Sequence, residues 1–292
     1  MIISLKRLKA TVPLASYLFL ASCFMSFYIH AEQTQQPTIA IIIDDMGNLY
    51  ENGAELARLP YPLTLSFLPE RPHTLKLINL AEQNHKEIML HSPMENSLGL
   101  KLGYGALTEN MNEQQIKSTL TGSFEDIPHM VGINNHMGSK LTTDPIAMRW
   151  VMETIQKHPF FFVDSRTSSK TVAANIASSY RIPNLSRDIF LDHEQTRGFI
   201  QKQFNKLIKI AKETGTALAI GHPHKGTVEY LTRALAKLDE KGVSLATVSA
   251  LWQIRHPGLT MQQYAHSSSP YTDSIAQHSE SNNQTIPPKT PL

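Results

Sequence analysis

The chain has 292 residues, 41% hydrophobic and 18% charged, with a formal net charge of +2. That supplies apolar material for a sizeable core, and the lack of any block of like charges argues against a nucleic-acid binder, which needs a clustered basic face. Cys23 is the single cysteine; disulfides are excluded, and a metal would have to be held by His, Asp, Glu, carbonyls or water.

Lys6, Arg7 and Lys9 precede an apolar run from Val12 to Ile29, and the chain turns polar at His30. This pattern predicts a secretory signal peptide over residues 1–31, cut near Ala31, and a short linker over 32–37. A membrane tether through an uncleaved N-terminus competes with it, because the run is just long enough to span a bilayer. A lipoprotein is the third reading: Leu20-Ala21-Ser22-Cys23 resembles a lipobox, but the residues after Cys23 stay apolar. All three place the domain outside the cytoplasm, in the bacterial periplasm.

From Thr38 one unit recurs: a short β-branched or aromatic run, then polar and ionisable residues, then a helical stretch. The first run, Thr38–Ile43, ends in Asp44-Asp45-Met46-Gly47, and a helix follows over Glu51–Leu59. Leu63–Leu68 precedes a helix over His73–Asn84 that should bury Leu75, Ile78, Leu80 and Ala81. Glu87–Leu90 ends in His91-Ser92-Pro93-Met94-Glu95, and Asn112 caps the next helix. Met130–Asn135 ends in His136, with Asp144-Pro145 opening a helix. Phe160–Val163 ends in Asp164-Ser165-Arg166, and Thr171–Tyr180 is helical. A weaker run, Asp188–Leu191, ends in Asp192-His193, with Gln195–Glu213 helical. Ala217–Ile220 ends in Gly221-His222-Pro223-His224, before a helix over Thr227–Lys241 and an apolar run from Val243 to Val248. Beyond His256 the composition cannot bury enough surface to order itself, which predicts a disordered polar tail over 256–292 and a folded domain over 38–255.

Apolar strands alternating with helices predict a parallel sheet covered on both faces, as a closed or nearly closed (β/α) barrel or, alternatively, an open doubly wound sheet. The barrel collects Asp44, Asp45, His91, Asn135, His136, Asp164, Arg166, Asp192, His222 and His224 on the face where such folds keep their active sites. Because neighbouring strand residues point to opposite faces, Asp44 and Asp45 are expected to serve different parts of the site. Carboxylates with neutral imidazoles suit zinc first, or iron, cobalt or nickel. Three such ligands leave a position for a water whose pKa falls to about 7. A second Asp would act as general base and a His across the site as general acid. Taken singly, each residue has a structural reading: strand-end acids cap helices, and Asp164 pairs with Arg166 at the rim.

Together, Ile41-Ile42-Ile43-Asp44-Asp45-Met46-Gly47, Leu90-His91-Ser92-Pro93-Met94-Glu95, Gly132-Ile133-Asn134-Asn135-His136-Met137-Gly138-Ser139, Phe162-Val163-Asp164-Ser165 and Ala219-Ile220-Gly221-His222-Pro223 resemble the divergent polysaccharide deacetylase family. The resemblance spans Thr38 to Trp252. It implies an α/β fold, a distorted (β/α)7 barrel of the polysaccharide deacetylase type, and metal-dependent removal of acetyl groups from an envelope polysaccharide or peptidoglycan-derived glycan. By the same resemblance Asp44 is the general base, Asp45 and His91 are metal ligands, and His222 is the catalytic acid, with Asp164 a further catalytic candidate. The larger superfamily has a second His four residues after the first. Here Glu95 stands there, so His136 is expected as third ligand, with Glu95 the alternative. The superfamily's Arg-x-Pro-Tyr motif is not evident. Two other functions compete: a non-catalytic glycan-binding protein on the same barrel, and a glycosidase using paired carboxylates.

Overall fold

The computed structural model describes residues 36–266. The expected signal peptide, most of the linker and the end of the expected tail lie outside the described residues. In chain order the elements are β1 (Thr38–Met46), α1 (Tyr50–Arg58), β2 (Thr64–Phe67), α2 (Thr74–Gln83), β3 (Glu87–Met94), α3 (Glu113–Glu125), β4 (Gly132–Met137), α4 (Pro145–Ile155), β5 (Phe161–Asp164) and α5 (Ala173–Ser179). Then follow β6 (Asn184–Ser186), β7 (Ile189–Phe190), α6 (Arg197–Thr214), β8 (Thr216–Gly221), α7 (Lys225–Leu235), β9 (Ser244–Ala246), α8 (Val248–Arg255) and α9 (Met261–His266).

Every ladder is parallel, and the strand order is β6-β5-β4-β3-β2-β1-β8-β7, with β9 pairing β1. The two ends of this order are consecutive in sequence. Arg187 N–H donates to Asp164 O, and the next amide, Asp188 N–H, donates to Leu218 O. One stretch, 184–190, therefore leaves β5 and joins β8 across a two-residue kink. Counted as one stave, it makes a distorted barrel of seven, as the sequence led us to expect.

Strand parity sorts the core. Ile39, Ile41 and Ile43 of β1 pack outward with the helices, whereas Ala40 and Ile42 point inward, with Met89, Phe161, Val163, Leu218 and Ile220. Both faces of β1 are buried, which is why its sequence is continuously apolar. Trp252, Leu251 and Val248 of α8 join the inner cluster and plug the N-terminal end of the barrel. Helix starts follow their caps. Asn112 forms a capping box with Gln115 at α3, and Asp144 accepts from the amides of Ile146 and Ala147 with Pro145 in the first turn of α4.

Three expectations are corrected. The ordered domain runs past Arg255, because α9 lays Met261 and Tyr264 on the Trp252 cluster. In α2, Leu75 is exposed and Leu77 is the residue buried with Ile78 and Ala81. β3 and β4 extend through His91 and His136, so both imidazoles stand on rigid strands rather than on loops.

Candidate metal centre

At the C-terminal ends of the strands, residues in phase with the inner cluster point into the barrel mouth. These are Asp44, Ser66, His91, Asn134, His136, Asp192 and His222. Asp45 is out of phase with Asp44 but is turned back towards it. It has φ 55°, and the β1–β2 register shifts between Ile43 and Met46. A bulge of this kind re-aims a side chain. Both carboxylates consequently approach one nitrogen: His91 Nε2 is 3.5 Å from Asp44 Oδ2 and 3.4 Å from Asp45 Oδ1. The expectation that strand alternation would separate the two acids fails here because the strand is not regular.

His136 completes the cluster. Its Nδ1 lies 2.9 Å from Asp45 Oδ1 and 3.1 Å from His91 Nε2. Asp45, His91 and His136 form a group able to hold a metal ion. Bonds of 2.0–2.1 Å at tetrahedral angles separate neighbouring ligand atoms by about 3.3 Å, close to the spacings found. Asp45 Oδ1 is sealed from solvent, yet no nitrogen around it is aligned to donate to it. A buried carboxylate oxygen without a hydrogen bond is a costly arrangement, and a cation among the three atoms relieves it. The donor set and its spacing therefore fit a divalent metal.

Asn134 orders this cluster from behind. Its Oδ1 accepts from Ser66 Oγ (2.6 Å) and faces His91 Nδ1 (2.8 Å), while its Nδ2 donates to Asp44 Oδ1 (2.8 Å) and Ser165 Oγ (3.3 Å). A proton on His91 Nδ1 would be held by Asn134 Oδ1 and would leave Nε2 to face the cluster, which is how ligand tautomers are fixed in metal sites. Burial raises the affinity of Asp44 for a proton, against the opposing pull of His91, His222 and Asn134. Burial likewise raises Asp45, but His136 and His91 outweigh it and hold its carboxyl well below the usual range.

Across the mouth, Asp192 Oδ1 faces His222 Nδ1 at 3.0 Å, and Asp192 Oδ2 accepts from His222 N–H and the Thr227 hydroxyl. Burial opposes charge on the His222 imidazole, but Asp192, with Asp44 and Asp45 beyond it, more than offsets this and pushes its pKa up to about 9. Asp192, His222 and His224 also form a group close enough for a metal. Unlike Asp45, Asp192 has partners on both oxygens.

Three expected residues lie elsewhere. Asp164 follows Val163 of the inner cluster and so faces the helices; its oxygens accept from Arg166 N–H and the Thr171 hydroxyl, which makes it a loop-closing group outside the convergence. Glu95, the alternative ligand, pairs with Lys140 and accepts from Glu109 N–H. Asn135 also turns away, accepting from Ser165 N–H and donating to Met137 O. Sequence reasoning missed Asn134 and Ser66, although Asn134 sits two residues before His136 on one strand and must share its face.

Comparison with known proteins agrees with this architecture. The family model described as divergent polysaccharide deacetylase matches residues 41–252. The uncharacterized protein YibQ of Escherichia coli (strain K12) is 32% identical over 213 residues, covering 73% of this chain and 66% of its own length, just under two thirds. An uncharacterized Haemophilus influenzae protein is 33% identical over 218 residues, covering 75% of this chain and 78% of its own. The crystal structure of an uncharacterized protein from Agrobacterium tumefaciens C58 superposes with a TM-score of 0.71 at 23% identity, covering 74% of this chain and 89% of that one.

Proposed function

The chain belongs to the divergent polysaccharide deacetylase family, and from that premise we propose that it is an exported, zinc-dependent hydrolase of the bacterial envelope that removes acetyl groups from a polysaccharide or peptidoglycan-derived glycan. The observation that carries this reading is the convergence of Asp45 Oδ1, His91 Nε2 and His136 Nδ1 with separations of 2.9–3.4 Å, the carboxylate oxygen being buried and without an aligned hydrogen bond.

In this reading Asp45, His91 and His136 hold the metal, and Asn134 keeps His91 in the ligating tautomer. A bound divalent ion supplies Lewis-acid polarisation of the acyl carbonyl and a lowered water pKa. Asp44 takes the proton of the attacking water on Oδ2; its Oδ1 is held by Asn134, and burial makes it a stronger base than a solvated carboxylate. His222 is charged at neutral pH and delivers a proton from Nε2 to the departing amine or alkoxide, with its Nδ1 held by Asp192. The imidazolium thus begins in the protonation state that a general acid requires.

The test is elemental analysis of the full chain beside His91→Ala/His136→Ala, followed by acetate release from acetylated glycans. About one zinc per chain in the wild type and none in the folded double variant is expected. A folded wild type that takes up no metal on reconstitution would overturn the mechanism.

A further inference from the structure

α6 and α7 begin just after the residues that form the Asp192–His222 pair, and they lie side by side on the outside of the barrel. A groove of 310 Å³ runs between them, within the range of small-ligand sites. Arg197, Arg233, Lys237 and Lys241 line it, with Glu229 as the one carboxylate. That is an excess of three positive charges in one groove, when the whole chain carries +2. The rest of the chain is therefore slightly acidic in net charge.

These charges are largely uncommitted. Arg233 lies 3.6 Å from Glu229 one turn earlier. Among the described residues Arg197, Lys237 and Lys241 have no carboxylate within ion-pair distance. Arg197 faces the Tyr230 phenol: burial pushes that hydroxyl's pKa up, and the Arg197 charge pulls against it. Gln201 and Asn205 add amides, one per turn of α6, so the lining offers hydroxyl and amide groups between cations.

The Gly226 end of the groove lies towards the mouth. A Cβ on Gly226 would sit 3.1 Å from the carbonyl oxygen of Gln195, in the loop that precedes α6. Gln195 Nε2 is 3.2 Å from His224 Nε2, and His224 stacks on His222 with ring centres 5.5 Å apart. Gln195 and His224 therefore stand between the groove and the proposed catalytic acid.

We propose that the α6–α7 groove binds an anionic stretch of a glycan chain, with phosphate or carboxylate groups borne along it. A narrow concavity between two helices suits a single polymer strand, whereas a flat membrane surface would meet only its rims. The anion binding stands without the proposed hydrolysis, which concerns only what the neighbouring part of the chain meets at the metal centre.

The test uses the full chain, with EDTA present to keep it independent of the metal, and fluorescence anisotropy of labelled polyphosphate, polygalacturonate and neutral dextran. The variant Arg233→Glu/Lys237→Glu reverses the groove; Lys202→Glu/Lys206→Glu reverses equal charge on the far side of α6. Both polyanions, or one of them, should bind the wild type and dextran should not. The groove variant should lose at least about tenfold in affinity, and the control variant less than about twofold. Whichever polymer binds more tightly identifies the anion. Equal losses in the two variants would reduce the effect to diffuse attraction and overturn the proposal, as would no polyanion binding by the wild type. Anionic lipid vesicles bound with the same groove dependence, in place of the polymers, would overturn it in favour of a membrane contact.

Discussion

Replacing Asn134 with Asp tests the hub of the site. Asn134→Asp keeps the oxygen that faces His91 and Ser66, but it puts a carboxylate oxygen where Nδ2 now lies 2.8 Å from Asp44 Oδ1. Two charges at that spacing repel by several kcal/mol even at an effective dielectric of about 20, so the folded variant must retain a shared proton. Holding a proton at pH 7 on a group whose unfolded pKa is about 3.9 costs about 4 kcal/mol, and at pH 5 about 1.5 kcal/mol. The sign follows from linkage: the folded state binds a proton that the unfolded state lacks. The shared proton's stabilisation is full below the unfolded value and fades as pH rises towards the folded one. Urea denaturation of wild type and variant at pH 5, 6 and 7, both with chelator, should give a stability difference growing by about 1.4 kcal/mol per pH unit. A constant difference, or one that shrinks with pH, would refute the placement of Asn134 Nδ2 against Asp44. Asn134→Leu, which removes the acceptor for His91 Nδ1–H, should weaken metal binding by about 10–100-fold.

Acetate release should fall as pH rises through about 9, where His222 loses its proton; in Asp192→Asn that limb should move down towards about 6.5, and a limb that stays put would remove His222 from the role of acid. The same raised pKa means that the His222–Asp192 pair stabilises the fold fully below about 6.5 and ceases to do so above about 9. Glu95→Ala should leave metal content unchanged and alter stability by less than about 1 kcal/mol, because Glu95 serves a partly exposed ion pair with Lys140; loss of metal would restore Glu95 as a ligand. Gly132→Ala should destabilise by about 1–3 kcal/mol in urea melts, since a Cβ there would meet the Phe161 ring at 2.4 Å.

The seven staves and most site residues are legible because their cause is local. A continuous apolar run reads as a strand buried on both faces, and the ionisable residue at its end falls at the mouth. What escapes the sequence depends on partners far away in the chain. Asp45 turns towards Asp44 only because β1 slips register against β2. Asn184–Phe190 is one stave only because β5 and β8 each claim half of it. Asp164 stands one step beyond Val163 in a strand whose Phe161 and Val163 point inward, so it faces the helices. α9 left too faint a signal, two apolar residues in a polar segment, whose order comes from Trp252 lying beneath them.

β1 has an unusual place in the assembly of the chain. Thr38 pairs with Thr216 on one side and Ser244 on the other, so the first strand of the domain, which pairs early with β2, completes its pairing only with strands from the end of the domain. Long-range parallel pairing of this kind forms slowly, and until it does β1 has an open edge. The β1–β2 pairing that turns Asp45 joins neighbouring stretches of chain, and His91 and His136 come from strands that pair with each other directly. A molecule cut short before β8 would keep these pairings, but it would leave the other edge of β1 open and would lack the His222 that faces the aspartates across the mouth.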